Sequence, residues 1–379
     1  MNLHLLVHTI RTFKHNYFIY NMLTEKGNSY IMNIIRSEKN PIITPEDIKP
    51  SRPDFKVVCV FNCGVTRFNE EILLLMRVAE MPINNNPKKE LVPILDLKTD
   101  KVIVKEFNKT DPSIDFSDPR VVRTSTNQYL TSISHLRIAR SRNGIDFKID
   151  EKPAIFPENK YERFGIEDPR ITQIDGRYYI NYSAISDITG VTTCLTSTTD
   201  FVTFTRHGVI FMPDNKDVAI FPEKIEGRYY ALNRPVSAEY RVRDMWISES
   251  PDLVYWGNHL KLMSTREKYW DDGRIGCGGV PFKIKEGWME IYHGSSKINR
   301  YCLGAVLLDA AKPWKVIARS EKPIIEPEMD YELNGFFDNV IFNCGNLYEE
   351  GKVKIYYGAA DTCIAYAEVK LKDILYQLK

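Results

Sequence analysis

GRYYINYSA, residues 176–184, and GRYYALNRP, residues 227–235, are one element written twice. Each opens on a glycine that suits a tight turn. Each then runs through aromatic and β-branched residues that suit a pleated strand. The same pattern returns as NQYLTSIS from Asn127, GWMEIYHG from Gly287 and GKVKIYYGAAD from Gly351, with an earlier relative in NEEILLLMRV from Asn69. Starts at 127, 176, 227, 287 and 351 are 49, 51, 60 and 64 residues apart, the length of one four-stranded propeller blade.

The repeats predict an all-β chain folded as a five-bladed β-propeller. Six segments are related, but residues 61–80 and 118–148 can supply two halves of one blade, with 81–117 as an insertion near the binding face. A β-sandwich or a two-domain all-β protein is the alternative. Helical patterns are short: Thr44–Ile48 and the closing LKDILYQLK. No glycine-rich loop joins a strand to a crossover helix, which excludes a dinucleotide-binding fold. Residues 32–379 read as the single propeller, and residues 1–31 as a peripheral N-terminal arm or an upstream start.

Composition narrows the function classes. The chain has 379 residues, 43% hydrophobic and 27% charged, with a formal net charge of +1. That balance gives no broad pull on nucleic acid. No apolar run is long enough to span a membrane. Arg11, Lys14 and His15 interrupt any secretory pattern at the start. The seven cysteines, an odd number with no CxxC pair, suit reduced thiols and a cytoplasmic protein better than a disulfide framework or a zinc site.

A propeller gathers its inner strand ends around a central channel, where polar residues from successive repeats converge. The candidates are Asn62, Arg77, Asp168, Lys216, Arg234, Arg274, His293 and Asp361. The sharpest motif is FGIEDPRIT, with Glu167, Asp168 and Arg170. A carboxylate in a closed site can serve as a general acid because desolvation raises its pKa. A second copy, DFSDPRVV with Asp118 and Arg120, reads as an ordinary Asp-Pro turn. Lys216, Arg234, Arg274 and His293, from consecutive repeats, could form an anion pocket with the charge-assisted donors that phosphate requires. Trp246, Trp256, Trp270 and Trp288 read as mainly structural.

From Val57 to Leu378 the chain resembles glycoside hydrolase family 130, the mannoside phosphorylases and β-mannosidases. The likeness rests on VFNCGVTR, LLLMRV, ARSRNGIDF, GIEDPRIT, KDVAIFPEKIEGRYYALNRP, WISESPDLVYWG, RIGCGGVPFKIKEGWMEIYHG, GAVLLDAAKPWKVIAR and IYYGAADT, in that order. It implies a five-bladed propeller, with Asp168 as catalytic acid, protonating the glycosidic oxygen through the 3-hydroxyl of the bound mannose. It implies that Asn62, Arg77 and Asp361 hold that mannose and that Lys216, Arg234, Arg274 and His293 bind phosphate. No cofactor or metal is implied, only inorganic phosphate as co-substrate, and homo-oligomers are common in the family. The chain departs from the family pattern at Asn233, often His, and at Cys63, commonly a small residue such as Ser.

An inverting hydrolase needs a second carboxylate to activate water, whereas phosphate arrives as an anionic nucleophile and needs cations instead. The retained basic set therefore points to an inverting β-mannoside phosphorylase, with β-1,2-mannobiose or oligomannan as the first substrate and β-1,4-mannosides second. A β-mannosidase, for which Glu223 or Glu239 could serve as base, and a non-catalytic sugar-binding propeller are the rival readings. Segments 81–117 and 236–245 are the loops expected to set linkage and chain length.

Overall fold

The computed structural model describes residues 32–237, 239–240 and 242–378; the arm expected over 1–31 lies outside them. The chain is all-β. After β1 (Ile34–Arg36), β2 (Phe55–Phe68) and β3 (Glu71–Pro82) form a hairpin. Two small ladders follow, β4 (Lys89–Asp96) with β5 (Lys101–Asn108) and β6 (Val121–Arg123) with β7 (Gln128–Leu130). The chain then returns, and β8 (Ile133–Ser141) pairs with β3 and carries β9 (Lys148–Ile149). The β4–β7 excursion thus interrupts one four-stranded group, as the half-repeats suggested, but it is longer than expected: residues 118–132, read as part of the second half, form the separate β6–β7 ladder, and the group resumes only at Ile133.

Four more groups follow as antiparallel meanders. The second is β10 (Gly165–Ile174), β11 (Arg177–Ser186), β12 (Gly190–Thr198) and β13 (Thr205–Phe211). The third is β14 (Asn215–Ile220), β15 (Tyr229–Pro235), β16 (Met245–Ser250) and β17 (Gly257–Met263). In the fourth, β18 (Arg274–Gly276) and β19 (Phe282–Ile284) both pair with β20 (Gly287–Ser295), followed by β21 (Tyr301–Leu308) and β22 (Val316–Arg319). The last has β23 (Ile341–Glu349), β24 (Lys352–Ala359) and β25 (Cys363–Lys370), and β1 completes it by pairing with β25. The expected helices are a 3-10 turn at Pro45–Asp47 and a helix at Leu371–Gln377.

Strand alternation explains how the groups pack. Along β3, Leu73 and Leu75 point to one face, where they meet Leu136, Ile166 and Ile180 of the first and second groups. Leu74, Met76 and Val78 point to the other, against Tyr356, Ile364 and Tyr366 of the last group. A strand buried on both faces reads as a nearly continuous apolar run, as LLLM does. The other clusters join the second group to the third through Leu195 and Val218, the third to the fourth through Leu232 and Trp288, and the fourth to the fifth through Leu303 and Ile355. The core is therefore a closed cycle of five interfaces with a polar centre.

The excursion has its own small core. Val92, Ile94, Val122 and Tyr129 pack on Phe164, just before β10, and the Leu95 N–H donates to the Arg163 carbonyl at 2.9 Å. This holds residues 83–132 beside the start of the strand that carries Asp168.

Candidate active site

Three of the polar groups at the centre are aimed by the same backbone device. In β2 the pairing with β3 skips from Phe61↔Arg77 to Gly64↔Leu75. In β10 it skips from Glu167↔Ser183 to Arg170↔Asn181, and in β14 from Lys216↔Arg234 to Ala219↔Leu232. These are β-bulges, which bend a strand and re-aim a side chain. The residue at each bend has positive φ: Asn62 at 46°, Asp168 at 51° and Asp217 at 53°. Asn and Asp tolerate that left-handed region best among non-glycine residues. Asp361, at φ 50°, sits in the turn between β24 and β25.

The bends converge on a cavity of about 320 Å³. Seven of the eight sequence-selected residues line it: Asn62, Arg77, Asp168, Lys216, Arg234, Arg274 and Asp361. On one side, Asn62 Nδ2 donates to Asp168 Oδ1 at 2.9 Å and Arg77 Nη1 to the same oxygen at 3.1 Å. Arg77 Nη2 donates to Glu167 Oε1 at 2.6 Å, and its guanidinium lies 4.4 Å from the Phe61 ring centroid. Arg77 is thus fixed by two carboxylates and a ring.

On the other side Lys216 and Arg234 are cross-strand partners. Arg234 Nε and Nη2 both reach Asp217 Oδ2, at 2.7 and 2.6 Å. Arg274 Nη2 reaches Asn299 Oδ1 at 3.4 Å, and its guanidinium is 5.5 Å from the Tyr301 centroid. Burial, with Arg243 and Arg234 nearby, pulls the Arg274 pKa down. Among the described residues neither Lys216 nor Arg274 has a carboxylate within ion-pair distance. Cations brought together this way repel, and a bound anion relieves the repulsion.

His293 is placed differently from the sequence expectation. It is fully buried behind the wall, with Nε2 3.2 Å from Asp217 Oδ2 and its ring 4.1 Å from the Phe342 centroid. Burial pulls its pKa down. It touches Asp217 and does not line the cavity, because β20 is buried along its whole length.

Asp168 also departs from the expected electrostatics. Burial pushes its pKa up, but Arg77, Lys216, Arg170 and the Asn62 hydrogen bond outweigh burial and hold it below the usual carboxylate range. Desolvation does not by itself keep this carboxyl protonated. Asp361 goes the other way: burial and the neighbouring Asp168 charge, only partly offset by Arg77, push it up to about 6.

Sequence reading passed over several lining residues. Asp217 stands next to Lys216 and occupies the same bulge position as Asn62 and Asp168, which was the available signal. Arg120, read as part of a plain turn, does receive the expected turn bond, its N–H donating to Asp118 Oδ1 at 3.0 Å. Its guanidinium nevertheless lines the cavity, paired with Asp118 at 2.9 Å and 5.2 Å from the Phe337 centroid. Tyr301, Phe337 and Phe342 supply aromatic wall. Arg170 of the DPR motif is structural: it donates to the carbonyls of Asp168, Cys277 and Gly278 at 2.9–3.0 Å.

The two departures from the family pattern lie off the cavity. Asn233 bridges Asn215 and Ser248 at 3.1 and 2.9 Å, and Cys63 packs in the core. Glu223 pairs with Lys283 at the surface, and neither it nor Glu239 lines the cavity. A second cavity, of about 580 Å³, shares Arg274 and Asn299 with the first and is lined also by Val242, Arg243 and Asp244.

Comparison with known proteins gives the family. Residues 119–379 match the family model for glycoside hydrolase family 130, described as beta-1,4-mannooligosaccharide phosphorylase. The chain is 47% identical over 352 residues to a beta-1,2-mannobiose phosphorylase of Listeria innocua serovar 6a, covering 92% of this chain and 99% of that protein. It is 42% identical over 249 residues to a 1,2-beta-oligomannan phosphorylase of Thermoanaerobacter sp. strain X514, covering 65% of this chain and 82% of that protein. The solved Listeria innocua beta-1,2-mannobiose phosphorylase, in complex with beta-1,2-mannobiose, superposes with a TM-score of 0.88, covering 91% of this chain and 99% of that one. The chain belongs to glycoside hydrolase family 130.

Proposed function

We propose that this chain is an inverting β-mannoside phosphorylase built on a five-bladed β-propeller. The closed cycle of five apolar interfaces around a polar centre supports the propeller. One observation carries the chemistry: an acidic group, Asp168, and a cluster of three cations, Lys216, Arg234 and Arg274, face the same cavity. The other two lining carboxylates do not stand as a base for water. Asp217 is tied to Arg234, and Asp361 stands on the side of Asn62 and Arg77.

In this reading a phosphate oxygen attacks the anomeric carbon of the terminal mannose from the face opposite the leaving sugar. The bond from that carbon to the glycosidic oxygen breaks, and the oxygen takes a proton from Asp168 through the mannose 3-hydroxyl. The products are α-mannose 1-phosphate and a mannoside one unit shorter. Asn62, Arg77 and Asp361 hold the mannose, and Lys216, Arg234 and Arg274 hold the phosphate. No cofactor is needed beyond phosphate itself.

The lowered Asp168 pKa fits a substrate-coupled acid. Bound phosphate offsets the positive charge of Lys216, one of the groups that keep Asp168 ionised, so phosphate binding raises the proton affinity of the acid. β-1,2-Mannobiose or oligomannan is the first substrate, supported by the names of the 47% and 42% identical relatives, and β-1,4-mannosides are second. Segments 81–117 and 236–245 set linkage and chain length. Seven cysteines without a disulfide and a sugar phosphate product suit the cytoplasm. The test is product release from β-1,2-mannobiose with and without phosphate, followed by anomeric NMR. Phosphate-dependent α-mannose 1-phosphate is expected; free mannose at equal rates without phosphate would replace this reading with a mannosidase.

A further inference from the structure

The phosphate side of the cavity contains a carboxylate, which is unexpected where an anion is to bind. Asp217 is nearly fully buried, and both of its short contacts to Arg234 fall on one oxygen, Oδ2, from Nε at 2.7 Å and Nη2 at 2.6 Å. His293 Nε2 approaches the same oxygen at 3.2 Å from behind. Oδ1 faces Arg170 Nη2 at 3.7 Å. The carboxylate therefore grips one edge of the Arg234 fork, with His293 and Arg170 close by as further positive or polar neighbours.

The backbone around this contact admits it only because of Gly276. That residue stands directly across the ladder from His293. A Cβ there would fall on Asp217 Oδ2 and lie 2.6 Å from His293 Nε2. A buried ion pair with no further role could sit anywhere in the core. This one lines the cavity with both members, beside Lys216 and Arg274.

We infer that Asp217, backed by His293, is a positioning residue that fixes the Arg234 guanidinium for phosphate. With the Nε–Nη2 edge taken by Asp217, Arg234 is locked in one orientation before the anion arrives. That pre-organisation lowers the ordering penalty of binding. His293 thereby acts on phosphate through Asp217 and without contacting it. The inference rests on the phosphorolysis reading above.

The experiment compares wild type, Asp217→Asn and Asp217→Ala in phosphorolysis of β-1,2-mannobiose, with KM measured separately for phosphate and for the disaccharide. The Ala variant is expected to raise the phosphate KM about tenfold or more, since charged hydrogen bonds are worth roughly 10- to 100-fold. The Asn variant keeps a neutral acceptor for Arg234 and is expected to raise it about three- to fivefold, roughly half of the charged-bond effect on a logarithmic scale. The disaccharide KM should stay within about twofold in both, because the sugar side has its own partners. If the Ala variant does not fold, the near-isosteric Asn variant decides. An unchanged or lowered phosphate KM in a folded variant overturns the proposal, because removing a negative charge alone would tighten anion binding. A parallel rise in both KM values also overturns it, in favour of general structural damage. Cleavage by the wild type that ignores phosphate would instead remove the functional reading, and this proposal with it.

Discussion

The bulges of β10 and β14 are two copies of one backbone solution put to opposite use. Both break register by the same step, and both put an aspartate at φ near +50°. Asp168 is preceded by a glutamate that shares Arg77 with it, and its Oδ1 accepts from Asn62 and Arg77. Asp217 is preceded by a lysine and turns its oxygen toward Arg234 and His293. In the proposed mechanism, identical bends therefore yield a group that does chemistry and a group that organises cations. What differs is the charge on the flanking residue and on its cross-strand partner.

The largest expected contrast tests that division directly. Asp168→Asn should lower kcat by about 10²–10⁴-fold, the usual contribution of a general acid, while mannobiose still binds. Asp217→Asn should leave kcat at saturating phosphate within about threefold, since that residue acts through binding. Equal losses of kcat in the two variants would erase the distinction.

A third buried carboxylate shows what either aspartate would be without cations in contact. Glu290 accepts the Gly278 N–H at 2.8 Å, and burial pushes its pKa up to about 8. Its folded pKa lies above the ordinary value of 4.5, so the folded state keeps a proton that the unfolded chain loses. The stability it contributes is complete below about pH 4.5 and is lost as pH rises through 8. Glu290→Gln should therefore gain stability relative to wild type across that window, by up to about 1.4 kcal/mol per pH unit. Urea midpoints at pH 5 and pH 8 would check it; a constant difference would mean that Glu290 does not titrate with folding.

Arg274→Ala sharpens the cation side of the comparison. Among the described residues Arg274 has no carboxylate within ion-pair distance, unlike Arg234, so its loss should appear as weaker phosphate binding alone. A rise of about 10- to 30-fold in phosphate KM, with the disaccharide KM unchanged, is expected for a lost charged contact. The smallest effect belongs to Arg120, delivered by the excursion between β3 and β8. Arg120→Ala should raise the mannobiose KM about two- to fivefold and leave the phosphate KM alone, a change typical of a partly exposed ionic contact. The opposite pattern would move Arg120 to the anion side.

The repeats were legible because turn glycines and period-two strands are local properties. Gly176 and Gly227 announce their strands without reference to any partner. The bulges were not, because a skipped register exists only between two strands, and ED, KD and FN share no letter that marks it. Asp217 was hidden for that reason beside the more conspicuous Lys216. His293 had the right chemistry for an anion site, but a strand buried on both faces gave no sign that it would stand behind the wall. For Asp168 burial could be anticipated; the balance of Arg77, Lys216 and Arg170 against it could not.

The pairing of β1 with β25 has a consequence for how the chain is made. Residues 34–36 find their partners only at 367–369, and the β3 face carrying Leu74, Met76 and Val78 waits for Tyr356, Ile364 and Tyr366. At the usual elongation rate of about 5–20 residues per second, that wait is roughly 15 to 65 seconds. For that interval the nascent chain on the ribosome lacks the last-group side chains that complete this seam, leaving it open to neighbouring chains on the same messenger or to a chaperone. Closing the ring last makes the completed molecule free of that seam, and makes its translation the most vulnerable period of its life.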